Sequence, residues 1–235
     1  MTSGLSRLLP ALFFTILVFT SNLNAQQMAD PAFKATVAEP TYTKNYPRVL
    51  FDEAHNNFHT THGRYKPFAD LIGNDGYNIV GNLKPFSKSS PETYKVLVIA
   101  NALGAEDMDE EGADKSAFAP EEIETVYDWV KSGGALLLIA DHAPFGGAAE
   151  ELAKKFGVGM SKGFVFDTEH SKPGAPTTLK FSRENKLLLD HPITLGRTAT
   201  EKVNTVVAFT GQALKAPDGA AVFLKLGDGA RDTPD

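Results

Sequence analysis

The sequence predicts an α/β domain: a mainly parallel sheet with helices on both faces. Short aliphatic runs alternate with helix-spaced apolar patterns from residue 48 onward. Two of the runs, in "YKVLVIANAL" and "GALLLIADH", have the near-continuous aliphatics of strands buried on both faces. Three runs end in polar residues, the rim at which open parallel sheets bind ligands.

In chain order, "RVLFDE" is a β-prone run and the first strand. "GRYKPFADLIGNDGY" carries Phe68, Leu71 and Ile72 at helical spacing and stops at glycine. "YNIVGNL" and "YKVLVIANAL" are the second and third strands. "FAPEEIETVYDWVKSGG" places Pro120 at a helix start, two acids in the first turn, and Ile123, Val126, Tyr127 and Val130 along one face before Gly133-Gly134. "GALLLIADH" is a fourth buried strand, passing into the helix of "GGAAEELAKKFGV". In the second half "GFVFD" and "VNTVVAF" read as strands with "HSKPGAPTT" as a loop between them. "AAVFLKLGDGARDTPD" reads as a strand running into an acidic turn with no closing element, so the domain is expected to continue beyond Asp235.

The ends of the chain set its context. Residues 1–25 combine Arg7, an apolar run from Leu8 to Phe19, and small or polar residues up to Ala25, the pattern of an export signal. The run is shorter than the roughly 20 residues of a spanning helix, so cleavage leaves no membrane span. Residues 26–46 read as a flexible lead-in and residues 47–235 as the domain. The expected location is periplasmic or secreted. Arg7 is the single charged residue of the signal, so its removal moves the net charge from -6 to -7, which disfavours a nucleic-acid partner. The chain has no cysteine, which excludes disulfides, thiolate ligands and a cysteine nucleophile.

The polar strand ends are the candidate ligand-binding site. Strand one ends in Asp52-Glu53-Ala54-His55-Asn56, strand three in Asn101, and strand four in Asp141-His142. In a flavodoxin-like strand order these three strands are neighbours, so their ends converge on one rim. Capping and turn formation are the structural alternative for the same residues.

"FDEAHNNFHTTHGRY" holds three of the six histidines. Its DEAH letters lack the phosphate loop that a nucleotide motor needs, so they are coincidental. His55, His59 and His62 stand at offsets of four and seven, and with Asp141 and His142 they are the candidate ligands of a divalent metal. The Asn, Thr and Gly among them favour turns over a helix. "GMSKG", Gly159 to Gly163, matches the nucleophile-elbow pattern, and Asp167, His170, Asp190 and His191 follow it. A helix precedes the motif and a strand follows, the reverse of what an elbow requires. Gly146 and Gly147 offer either an anion-holding turn or a plain tight one.

"GGALLLIADHAPFGGAAEELAKKFGV", "RVLFDEAHNNFH" and "LLLDHPITLGR" together resemble the uncharacterised glutamine-amidotransferase-like domain of exported and membrane-associated bacterial proteins. The resemblance covers residues 47–235 and implies a flavodoxin-like sheet of the class I glutamine-amidotransferase type. Working members of that class place a cysteine on the turn after a central strand, where this chain has Asp141 and His142, so glutaminase chemistry is excluded. "DHPITLGR" recurs in such domains and either brings His191 to the rim or shapes a turn. Two functions remain open at this point. One is an exported non-catalytic domain whose rim binds a small molecule or an envelope protein. The other is a metal-dependent envelope hydrolase in which Glu53 or Asp141 is the base.

Overall fold

The computed structural model describes residues 28–88, 91 and 93–233; the export-signal reading falls outside them. Among the described residues no helix is long and apolar enough to cross a membrane.

The first half is a parallel sheet of four strands in the order β2-β1-β3-β4. These are β1 (Arg48–Asp52), β2 (Asn78–Asn82), β3 (Val96–Ala100) and β4 (Ala135–Ile139). Side chains alternate across the pleat, so the two faces bury different sets. Val49, Phe51, Val98 and Ala100 meet Tyr65, Phe68 and Ile72 of helix α1 (Lys66–Asn74) and the turn before it. Leu50, Leu97 and Ile99 meet Ile123, Val126 and Trp129 of α2 (Pro120–Lys131) and Leu152 of α3 (Phe145–Lys155). The expected α/β layering with helices on both faces is therefore present, and β1, β3 and β4 are adjacent as expected.

Local chemistry explains the boundaries. Pro120 opens α2, and Glu122 reaches back so that the Ala119 N–H donates to its carboxylate at 2.9 Å. The helix stops at Gly133, in the left-handed region, and Gly134, where a Cβ would lie 2.3 Å from the Trp129 ring. Gly76 after α1 is tighter still: its φ is +96°, and a Cβ would sit 1.9 Å from the Tyr42 carbonyl oxygen. Gly76→Ala should cost about 1–3 kcal/mol of backbone strain plus that collision, read as a lowered urea midpoint with an unchanged slope.

Residues 28–47, the described part of the chain before β1, have neither helix nor strand but are tied down. The Thr41 N–H and hydroxyl both bond the Asp75 carboxylate, Tyr42 sets its ring edge-on to Tyr77 at 5.1 Å, and Arg197 donates to the Glu39 carbonyl.

Three readings of the sequence are corrected. β4 is not buried on both faces: no strand pairs with its outer edge among the described residues, and Leu137 is 42% exposed. The segment "HSKPGAPTT" is not a loop but a hairpin of β7 (Ser171–Lys172) and β8 (Ala175–Ser182), turned at Pro173-Gly174 with Gly174 at φ +76°. Residues 220–226 form no strand, making only an isolated bridge from Leu224 to Leu188, while the acidic turn after them is followed by a closing strand.

The second half is antiparallel. β8 pairs with β7 and with β9 (Thr205–Phe209), β6 (Phe164–Phe166) with β11 (Arg231–Thr233), and β5 (Gly159–Met160) with β10 (Leu214–Lys215). Val165, Leu179, Phe181, Leu187 and Leu188 form its separate core.

Candidate functional site

β1 ends in a fully buried carboxylate. Asp52 is 0% exposed and accepts from His55 Nδ1 at 2.8 and 2.9 Å, Asn57 Nδ2 at 3.1 Å and Asn82 Nδ2 at 3.2 Å. The other ring nitrogen, Nε2, lies 2.9 Å from Glu122 of α2, and Glu122 also accepts from the Phe86 N–H at 2.6 Å. Phe86 and Phe118 flank the imidazole at 4.9 and 4.8 Å. Burial alone would push the His55 pKa down, but the hydrogen bonds and charges of Asp52 and Glu122 overcome it and hold it above the ordinary value. Burial would raise Glu122, and the amides of Ala119 and Phe86 together with His55 hold it below. This is a buried acid–imidazolium–acid chain tying β1, the loop after β2 and the start of α2 together. Both His55 nitrogens are occupied within it.

A second chain crosses the ends of β3 and β4. The Asp141 N–H donates to Asn101 Oδ1 at 3.0 Å, which fixes the orientation of the amide. Asn101 Nδ2 must then donate to His59 Nε2, 3.1 Å away, which leaves the His59 proton on Nδ1. That nitrogen is buried without a hydrogen-bond partner. His59 stacks on Tyr65 at 4.3 Å and 21°. Burial first, then the Arg64 charge, lowers its pKa to about 4, with the Phe58 carbonyl acting weakly in the opposite sense. Burial raises the Asp141 carboxyl above the usual range against the pull of His142 and of Thr210, whose hydroxyl donates at 3.4 Å. Tyr65 is raised by burial and by the charge of Asp141.

His59, Tyr65, Asn101, Asp141 and Thr210 line one side of a cavity of about 1130 Å³ between the parallel sheet and the antiparallel half. Asn101 and Thr210 have left-handed backbones, at φ +48° and +53°. For the β-branched Thr210 this is a costly conformation of the kind that clusters at functional sites.

The remaining candidates lie elsewhere or have structural tasks. Glu53 accepts from the Thr61 N–H and hydroxyl, both at 2.6 Å, and holds the loop between them. Asn56 is an exposed left-handed turn residue; its neighbour Asn57 makes the bonds. His62 is exposed on the surface. His142 stacks on Phe164 at 4.4 Å, bonds the Ala143 carbonyl through Nδ1, and has its Nε2 4.0 Å from Asp141. Among the described residues no three or more of these groups converge to hold a metal ion, so the donor set does not fit one.

Ser161 lies between β5 and β6 with no helix after it, and its Oγ accepts from the Ala213 N–H. Gly146 and Gly147 lie in the first turn of α3 rather than in a turn before it, packed against Gln212, where a Cβ would lie 2.3 Å away, and against the Asp114 carbonyl, so close packing accounts for both. His191 caps the short helix α4 (Pro192–Leu195) through Nδ1 and stacks on Phe223. Glu122, Asn57, Tyr65 and Thr210 are the residues that strand ends alone did not mark, and Asn82, at the end of β2, was passed over.

No family model matches the chain, and no curated protein matches it in sequence. A solved structure of the mmIFT52 N-terminal domain is similar in fold: the TM-score is 0.59 at 17% identity, over 78% of this chain and 74% of that one. At that identity the likeness bears on the fold alone.

Proposed function

We propose that this chain is an exported domain of the glutamine-amidotransferase-like, flavodoxin-like kind that binds a small ligand at the carboxyl rim of its parallel sheet and carries out no amidotransferase chemistry. The observation that carries this reading is the cavity of about 1130 Å³ at the ends of β3 and β4, with polar groups on the sheet side and apolar walls opposite. The strand order β2-β1-β3-β4 supports the flavodoxin-like class. The absence of cysteine removes the thiolate on which glutaminase chemistry depends. Residues 1–25 support export. The hydrolase alternative has no converging ligand set among the described residues to support it.

The test is a thermal-shift screen of the whole chain against sugars, nucleosides, amino acids and amphiphiles, with Ala208→Phe beside it. Ala208 lines the cavity from β9, so the ring occupies ligand space. A ligand at about 100 times its Kd stabilises the fold by about 2.7 kcal/mol. Hits that disappear in a folded Ala208→Phe variant are the expected result. A screen without hits, or hits indifferent to that variant, would sink the reading.

A further inference from the structure

The open side of β4 runs into the cavity. The Ala135 N–H donates to the Lys95 carbonyl at 3.1 Å, and the Ile139 carbonyl accepts from the Asn101 N–H at 2.9 Å. Ala135, Leu137 and Ile139 therefore turn their backbone groups toward β3, and by alternation those of Leu136, Leu138 and Ala140 point the other way. Among the described residues no strand pairs with that side. At its carboxyl end a side chain stands in: Gln212 Nε2 donates to the Ala140 carbonyl at 3.2 Å. Ile139, Ala140, Asp141 and Gln212 all line the cavity, so this end of the open edge is one of its walls.

The other walls are apolar and uncovered. Phe209, Leu214 and Val222 line the cavity and remain 59%, 60% and 49% exposed. Charge selects no single sign, because Asp141 attracts a cation, Arg64 and Lys225 attract an anion, and all three line the same cavity. What the edge lacks is a row of alternating donors and acceptors beside apolar groups. An extended polypeptide with apolar side chains carries both.

A second copy of the chain is a poor occupant. Thr210 and Gln212 reach Asp141 and Ala140, so the antiparallel half overhangs the carboxyl end of the edge. A twofold-related β4 would bring its own overhanging half into the same space. A single extended segment brings none.

Building on the binding-domain reading above, we propose that the ligand is a short extended segment of another protein, uncharged and apolar at alternate positions, that adds a strand beside β4. About five residues match the length of β4. The backbone of the segment pairs with Leu136, Leu138 and Ala140, and its apolar side chains cover Phe209, Leu214 and Val222.

The test uses the whole chain and a fluorescein-labelled peptide of about seven alternating threonines and valines, acetylated and amidated, followed by fluorescence anisotropy. Its control is the same peptide N-methylated at two adjacent central residues, which blocks both edges of the strand. The parent should bind at least about tenfold more tightly than the control, since each lost hydrogen bond is worth about 1 kcal/mol. With the parent bound, amide exchange at Leu136 and Leu138 should slow by at least about tenfold, and Leu137, already paired with β3, should change less. Equal binding of the two peptides, or unchanged exchange at Leu136 and Leu138, overturns the added strand. So does a chain that ignores the parent peptide yet sediments as a dimer. Failure of the peptide alongside thermal-shift hits that Ala208→Phe removes overturns the strand and leaves the cavity reading standing; failure of both overturns both.

Discussion

Replacing Asp52 by Ala lowers the unfolding free energy by about 3–5 kcal/mol, the cost of breaking a buried ionic group from one side. For a chain of this length that is a fall in Tm of roughly 2–4 °C per kcal/mol. The size follows from what Asp52 holds. Its carboxylate accepts from His55, Asn57 and Asn82, and it is fully buried. Without it the imidazolium faces Glu122 alone, and the Asn57 and Asn82 amides are left with only the Ala100 and Lys84 carbonyls as acceptors. Coupling is part of the expectation. The double variant Asp52→Ala/His55→Ala should cost less than the sum of the single variants, because removing the imidazole removes the charge that Asp52 compensates. Urea denaturation of the four proteins measures this; strict additivity, or a cost for Asp52→Ala below about 1 kcal/mol, would count against the chain of contacts acting as a unit.

Between pH 6.5 and about 4 the protein loses stability through His59. Folded His59 binds its proton only near a pKa of about 4, whereas the unfolded side chain titrates near 6.5. Below 6.5 the unfolded state therefore binds more protons than the folded one, and acid favours unfolding. The loss is about 3 kcal/mol, since each tenfold difference in proton affinity between the two states is worth about 1.4 kcal/mol. His55 works on the other side. Its folded pKa is raised, so its contribution is complete below 6.5 and is lost as pH rises through the folded value. Glu122 is depressed, so its contribution is present above 4.5 and is lost as pH falls through the folded value. Asp141 is raised and keeps its proton longer in the folded state, which opposes the loss in acid. The two histidines therefore act in opposite senses, His59 costing stability as pH falls and His55 as pH rises. His59→Phe keeps a ring against Tyr65 and removes the titration. The acid slope between pH 6.5 and 4 should flatten in the variant, and an identical slope in both proteins would refute the assignment.

The first half of the fold was legible because each element there carries its own period. Leu97 to Ala100 alternate into two helix layers, and α2 has its proline, acids and glycines at the positions that helix ends demand. The second half was less so. Residues 220–226 have the composition of a strand but find only one bridge to Leu188, and strand formation depends on a neighbour that composition does not specify. Pro173-Gly174 was a visible turn signal, but the hairpin around it depends on β8 pairing with β9.

At the site, Asp52, Asn101 and Asp141 were marked by standing at the ends of aliphatic strands. Glu122 was not, because an acid in a first helical turn already has a local explanation, and its bond to His55 spans 67 residues of sequence. The histidine spacing suggested a shared metal, yet the loop divides the three. His55 is held by two carboxylates, His59 by Asn101, and His62 faces solvent.

The open side of β4 has a consequence for the protein as a material. A sheet interior is self-limiting, but an aliphatic edge that no strand covers among the described residues, with Leu137 exposed, is a template for extended chains. β4 offers the sequence Ala-Leu-Leu-Leu-Ile with no charge and no proline, without the gatekeepers that natural edges use against aggregation. Solubility at high protein concentration is therefore expected to respond to a charge placed on this seam, with Leu137→Lys the substitution that would show it.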